Sequence, residues 1–317
     1  MSGSLPVNPK EWELEAKFHD DKTTHFSGTP SEEVWKRGQA LGRGGFGEVW
    51  KETWDETNVS NRSEKRPRVR AVKRIRKTDK ATQELPNLIK LSTKKYYGRD
   101  HLQHFVEFFG WFQDQHNIYV SMEYIPNHDL QQHIQERHGN ANGFDESEGA
   151  FIVTEITKAL KFMHEKNVMH RDLKPANILI YKPAPYWQIK LADFGISKDI
   201  EVPGAHTKAG TDGYMAPEVA DTNRKIPYTS AVDIWSLGAV TFCIQTGKPP
   251  FQDTLAVGRY IDGKGTFPFD YLLGFTGKLV VFIMQLMDIV PARRPSVNQV
   301  LQHAWVNTRG DVPLDQE

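Results

Sequence analysis

The alternation of apolar and polar positions changes character near the middle of the chain. From Trp35 to about Met122 the apolar residues come in short runs, "QALGRGGFGEVWKE", "RAVKRI", "FVEFFGWFQD" and "NIYVSMEYI", separated by glycines and polar loops. Runs this short, rich in β-branched and aromatic residues, predict strands. From about Pro126 onward the period becomes helical. In "EGAFIVTEITKALKFMHEKN" the residues Ile152, Ile156, Leu160 and Met163 fall on one stripe, and "SAVDIWSLGAVTFCIQTG" ends in Gly247, where a helix C-cap favours glycine. The fold class is therefore α+β, a β-rich half followed by a mainly helical half. Residues 1–34 are polar, with the breaker cluster "HFSGTPSEE", and read as a flexible N-terminal arm that Trp12 and Phe18 could pin. The stretch "WDETNVSNRSEKRPR", Trp54 to Arg68, reads as a long surface loop between two strands.

Composition narrows the class. The 317 residues, 38% apolar and 25% charged, suit an ordinary globular protein of one large or two smaller domains. Forty basic residues balance forty acidic ones, so no global field points to nucleic acid or an anionic membrane. Only "EKRPRVRAVKRIRK" is locally basic, and part of it lies in a predicted strand. The single cysteine, Cys243, excludes an intrachain disulfide and fits a reducing, intracellular compartment. Its neighbours in "VTFCIQ" suggest packing. The longest apolar run, "LVVFIMQLM", falls far short of the roughly 18 residues that a membrane span needs. The N-terminus has neither the basic start nor the apolar core of a signal peptide.

Several short motifs carry chemistry. "LGRGGFGEV" places Gly42, Gly44 and Gly47 in the spacing G-x-G-x-x-G, which lets backbone N–H groups approach phosphate oxygens. Alone this is a weak signal. A dinucleotide fold would continue into a helix, whereas "FGEVWKE" continues as a strand, which favours a hairpin lid. "AVK" puts Lys73 on a strand as a point charge suited to phosphate. "HRDLKPANILI" brings Asp172, Lys174 and Asn177 into one loop, and "LADFGIS" adds Asp193. Carboxylate and amide oxygens are the hard ligands Mg²⁺ takes beside nucleotide phosphates, and a second carboxylate can accept a hydroxyl proton. Each acid taken singly reads as well as a turn or cap residue, and Asp233 reads as N3 of a capping box from Ser230. Finally, "KRIRKTDKATQELPNLIKL" holds Glu84 in a helical stretch with Pro86 two residues later. A proline inside a helix costs about 3 kcal/mol but little in the first turn. The helix is therefore expected to start with Thr82 near its N-cap, Pro86 at the edge of its first turn and Glu84 near the positive end of the dipole.

In this order, "GRGGFGEV", "AVK", "HRDLKPAN", "DFG" and "YMAPE" resemble the eukaryotic protein kinase family across Trp35 to Val306, as do "VDIWSLG" and "PARRPS". The resemblance implies a bilobal fold, an N-lobe of about 35–124 carrying one key helix and a C-lobe of about 125–306, with 307–317 a short tail. It implies that ATP and Mg²⁺ are bound. Leu41, Gly42, Arg43, Gly44, Gly45, Phe46 and Gly47 would form the lid, Lys73 would hold the α- and β-phosphates, and Glu84 would pair with Lys73. Val49, Ala71 and Leu179 would sandwich adenine, Met122 would precede the hinge of Glu123 to Ile125, and Asp129 would meet the ribose. Asn177 and Asp193 would hold Mg²⁺, with Asp172 as catalytic base beside Lys174. Leu88 would join an apolar column with His170 and Phe194, Asp233 would steady the catalytic loop, and Arg294 would pair with Glu218.

Lys174 and Thr211 resemble the serine/threonine branch, which implies a protein Ser or Thr acceptor. Ile196 after "DFG" implies a preference for Thr. Ala176 and Cys243 stand where acids would select arginine two residues before the acceptor, so that selection is expected to be weak. Arg171 implies an activation segment organised by phosphate; the segment offers Ser197, Thr207 and Thr211, and with Thr211 as a structural contact of the catalytic loop, Thr207 is the site expected for an upstream kinase. A pseudokinase scaffold is disfavoured by the presence of Lys73, Asp172, Asn177 and Asp193. A small-molecule kinase is disfavoured by "GTDGYMAPE", which resembles a peptide-docking segment.

Overall fold

A computed structural model describes residues 7–19, 21–26, 32–44, 47–55, 69–140, 143–193, 212–220 and 229–307. They fall into two compact units that meet in sequence between Pro126 and Asn127.

The first unit is built on an antiparallel sheet of seven strands in the order β1-β2-β3-β4-β5-β7-β6. The strands are β1 (Glu15–Phe18), β2 (Lys22–Phe26), β3 (Glu32–Gly44), β4 (Gly47–Trp54), β5 (Val69–Arg76), β6 (Phe108–Gln113) and β7 (Asn117–Glu123). The apolar runs of the β-rich half form β3 to β7, and Trp50, Val72, Phe112 and Tyr119 make one buried cluster on them. Residues 56–68, within the expected long loop, lie outside the described residues.

The arm expected before Trp35 is a correction. A 3-10 turn at Pro9–Trp12 is followed by β1 and β2, and β2 pairs with β3, so the segment extends the sheet by two strands. Trp12 lies against Phe108 with ring centroids 5.9 Å apart, and Phe18 against Tyr119 at 5.0 Å. Polar composition hid these strands because their hold comes from backbone pairing and a few aromatic side chains rather than from an apolar run.

Helix α1 (Asp79–Ser92) also departs from expectation. Its N-cap is Thr78, whose hydroxyl accepts from Ala81 N–H at 3.1 Å, and Pro86 sits in the helix interior. The helix thus begins before Thr82. Thr82 is itself helical, its N–H and hydroxyl both reaching the Thr78 carbonyl at 3.2 Å. The cost of the internal proline, about 3 kcal/mol, is offset because Ala81, Leu85, Leu88, Ile89 and Leu91 are all buried, each large side chain contributing about 1.5–3 kcal/mol. Helix α2 (Lys94–Tyr97) follows at once.

The second unit is mainly helical, with α3 (Leu130–Gly139), α4 (Glu146–Glu165), α5 (Pro217–Ala220), α6 (Ala231–Thr246), α7 (Thr254–Ile261), α8 (Gly277–Leu286) and α9 (Val297–Gln302). Helix α6 is buried from Val232 to Gln245 on every face, which makes it the axis against which α4 and α8 pack. The stripe Ile152, Ile156, Leu160 and Met163 on α4 is wholly buried. Gly247 caps α6 at φ 75°, where an added Cβ would lie 2.7 Å from the His138 ring. A hairpin, β8 (Ile178–Lys182) and β9 (Gln188–Leu191), interrupts the helical half. The expected capping box at α6 is absent, since Ser230 is in the αR region and makes no side-chain cap bond. No helix of the described residues is long and apolar enough to cross a membrane.

Candidate active site

In the first unit, the hairpin read from the glycine motif is present. Gly42 faces Val49, Arg43 faces Glu48, and Gly44 faces Gly47; Leu41 precedes them, while Gly45 and Phe46 lie outside the described residues. Gly47, at φ 123°, is required by the fold, because a Cβ there would collide with the Arg74 carbonyl of β5. Gly42 differs: a Cβ there would meet nothing within 4 Å, so packing within the protein does not demand glycine at that position. Lys73 lies in register with Val49 and Val120 and is buried, 5% exposed. Ala71 faces Met122, which faces Phe108 on its other side. Glu123 is anchored at both ends, its N–H donating to the Glu107 carbonyl at 2.8 Å and its carboxylate accepting from Glu107 N–H at 3.1 Å. Ile125 is buried. The backbone of Glu84 lies in α1, but its side chain falls outside the described residues, as does the pairing expected of it.

Three residues before Lys73, a polar cluster braces β5. Arg70 donates to Glu52 through Nε at 2.8 Å and Nη2 at 2.6 Å, and its Nη2 also reaches His25 Nε2 at 2.8 Å. The Trp50 indole donates to the other Glu52 oxygen at 2.9 Å, and the Arg70 guanidinium lies 4.1 Å from the Trp35 ring centre. Burial and the neighbouring cation hold His25 down to about 3, so it is neutral and accepts from Arg70. Sequence reasoning missed this cluster; the alternation that buries Glu52 and Arg70 on paired strands was its only signal.

In the second unit the residues of "HRDLKPAN" converge. Lys174 Nζ lies 3.1 Å from Asp172 Oδ2, and Asn177 Nδ2 donates to the same oxygen at 3.1 Å and to the Asp172 carbonyl at 2.8 Å. With its amide nitrogen so committed, Asn177 can offer its oxygen elsewhere. Ala192 N–H donates to the Asn177 carbonyl at 2.9 Å, tying the loop to the residue before Asp193. Arg171 and Asp193 both have positive φ, 64° and 58°, a strained setting that the surroundings must enforce.

At Arg171, Asp233 does much of that enforcing. Fully buried, its carboxylate accepts from His170 N–H at 2.9 Å, Arg171 N–H at 2.9 Å and His164 Nε2 at 2.8 Å. Burial alone would push its carboxyl up, but these donors hold it below the usual carboxylate range. His164 was missed; its place in the last turn of α4, directly after the stripe residue Met163, was the available clue. Burial lowers the affinity of His170 for a proton. Asp129 is the N-cap of α3, accepting from Gln132 N–H at 2.9 Å, and it bridges to Leu179 in the backbone. Burial raises its carboxyl.

Further along, Arg294 holds Glu218 with two bonds, 2.6 and 2.9 Å, and donates to the Ala231 and Asp288 carbonyls at 2.9 and 2.8 Å. Cys243 is fully buried and accepts from the Tyr214 hydroxyl at 3.2 Å, burial lifting its thiol to about 11, so it packs rather than reacts. Phe194, Ile196, Ser197, Thr207 and Thr211 lie outside the described residues. Among the described residues no group of three His, Cys, Asp or Glu side chains could hold a metal alone. One carboxylate, Asp193, with the Asn177 amide suits a Mg²⁺ ion that takes its other ligands from phosphate and water.

The profile of the protein kinase domain matches residues 35–306. A probable serine/threonine-protein kinase CCRP1 of Zea mays is 29% identical over 299 residues, 93% of this chain and 44% of that one. A calcium/calmodulin-dependent protein kinase type 1 of Macrobrachium nipponense is 33% identical over 211 residues, 65% of this chain and 59% of that one. Aurora kinase C of Mus musculus is 30% identical over 276 residues, 85% of this chain and 90% of that one. The chain thus spans about half the length of the first two relatives.

Proposed function

The chain belongs to the eukaryotic protein kinase family, on its serine/threonine branch, and from that premise we propose that it transfers the γ-phosphate of ATP to a Ser or Thr hydroxyl of a protein. The observation that carries this is the cluster of Asp172, Lys174 and Asn177, joined by contacts of 2.8 to 3.1 Å in a loop that Asp233 fixes. Asp172 orients the acceptor hydroxyl and takes its proton, and Lys174 stabilises charge on the transferred group. Asn177 and Asp193 would hold Mg²⁺, which neutralises phosphate charge when bound. Lys73 takes the α- and β-phosphates, with Glu84 as its partner. Gly42 supports a nucleotide on the lid, since its lack of a side chain serves an approach from outside rather than packing. Val49, Ala71, Leu179 and the hinge of Glu123 to Ile125 take adenine, behind which Met122 sets the depth, and Asp129 takes the ribose.

The test is transfer from radiolabelled ATP to a generic protein substrate with and without Mg²⁺. Incorporation is expected with the native chain and background counts with Asp172→Ala and Asp193→Ala; full transfer by either variant would overturn the assignment. On specificity, we infer Thr over Ser from Ile196, checked by peptides differing only at the acceptor, where faster Ser turnover rejects it. The neutral Ala176 and Cys243 imply weak selection for arginine two residues before the acceptor, which a peptide array dominated by arginine there would contradict. Thr207 is proposed as the site of an upstream kinase. Thr207→Ala retaining the full activity of protein phosphorylated at Thr207 removes it.

A further inference from the structure

Residues before the kinase-matching region are built into the first unit in a way that the region itself does not call for, since the match begins only at residue 35. The stretch Pro9–Leu14 runs along β6 and is held there at successive points, and it continues into β1, which pairs with β2 while Phe18 lies against Phe112 of β6. The Pro9 carbonyl accepts from the Trp111 indole at 2.8 Å, Leu14 N–H donates to the Trp111 carbonyl at 2.7 Å, and Gln113 donates to the Glu13 carboxylate at 2.6 Å. Gly110 in β6, at φ 152°, shows how close the approach is: a Cβ there would lie 2.9 Å from Leu14 Cγ and 3.1 Å from the Trp12 carbonyl. Leu14 then packs onto the core cluster of the sheet. The same 3-10 turn packs on α1, and Glu11 pairs with Lys95 of α2. One short segment therefore spans the sheet and the helix that bears Glu84.

Helix α1 has reason to need such support. Pro86 in its interior has no N–H, so one bond of the helical ladder is missing between the turn that follows β5 and the buried turns Leu88 to Leu91. With the ladder interrupted, the set of the helix depends on what packs against it. We propose that Pro9–Phe18 is an internal brace that sets helix α1 for catalysis, with Trp12 and Leu14 as positioning residues. The proposal rests on the reading of Glu84 as the partner of Lys73.

The experiment uses the full chain. Trp12→Ala and Leu14→Ala are expected to lower kcat on the order of tenfold at temperatures well below unfolding, with KM for the protein substrate little changed. Amide exchange across residues 81–92 should quicken in both, and Trp12→Phe should restore kcat and protection. In a Glu84→Gln background, Trp12→Ala should lower kcat no further, because the contact it serves is already lost. A variant that melts earlier but keeps kcat and α1 protection overturns the brace and leaves a purely stabilising segment. Losses that multiply with Glu84→Gln overturn it as well. If Trp12→Ala does not fold, Leu14→Ala decides by the same measures. Full activity of Glu84→Gln removes the Glu84 reading instead, and the brace is then upheld only if Trp12→Ala still lowers kcat and loosens α1.

Discussion

Asp233→Asn keeps the shape of a fully buried side chain and changes one oxygen into a donor. The native carboxylate serves Arg171 N–H with one oxygen and both His170 N–H and His164 Nε2 with the other. An amide has one oxygen, so its NH₂ must face at least one of these donors. The cheaper orientation leaves Arg171 N–H without an acceptor, which costs about 1–3 kcal/mol, and loss of the charge weakens the bonds that remain. The expected destabilisation is about 2–4 kcal/mol in urea unfolding at neutral pH. Arg171 is also the residue held at φ 64°, next to Asp172, so its release should displace the carboxylate proposed as the base and lower kcat on the order of 100-fold. Because the folded Asp233 carboxyl lies below its ordinary value, its contribution is complete above about pH 4 and is lost as the pH falls through the folded value. The gap between native and variant stability should therefore close on acidification. A variant within about 0.5 kcal/mol of the native chain that also keeps its kcat would refute the role given to Asp233.

Glu218→Ala strands Arg294, whose side chain has no solvent exposure, and should cost about 3–5 kcal/mol in urea unfolding. Replacing both residues, with Glu218→Leu and Arg294→Met, should cost less than Glu218→Ala alone. Gly247→Ala places a Cβ at φ 75° against the His138 ring and should lower stability by about 1–3 kcal/mol, read as a drop in Tm. His25, held down to about 3, should show a neutral imidazole by NMR from pH 7.5 to pH 5. Its depressed value means that stability is full above about pH 6.5 and declines as the pH falls toward the folded value, a decline that His25→Gln should lessen.

The chemistry of this chain was legible where residue types and spacing are demanded together. Asp172, Lys174 and Asn177 stand close in sequence because one loop must carry them, and the structure brings them within hydrogen-bond reach. The glycines, too, announced a hairpin, because a strand follows Gly47 where a helix would serve a different ligand geometry. What stayed hidden depends on energies that local rules cannot rank. A proline rule placed the start of α1 at Thr82, yet Thr78 begins it, because burial of the apolar face from Ala81 to Leu91 outweighs one missing bond. Capping chemistry alone gave Asp233 to its own helix, and only the resemblance gave it to the loop where it lies, because two backbone N–H groups of that loop and a partly buried histidine offer an anion more than Ser230 can. The N-terminal strands left almost no trace for a related reason. Thr23, Thr24 and His25 are buried although polar, because their backbone groups pair with neighbouring strands and His25 finds its partner in Arg70 on β5, far along the sequence. Burial of that kind is decided by tertiary partners, and a window of neighbouring residues does not contain them.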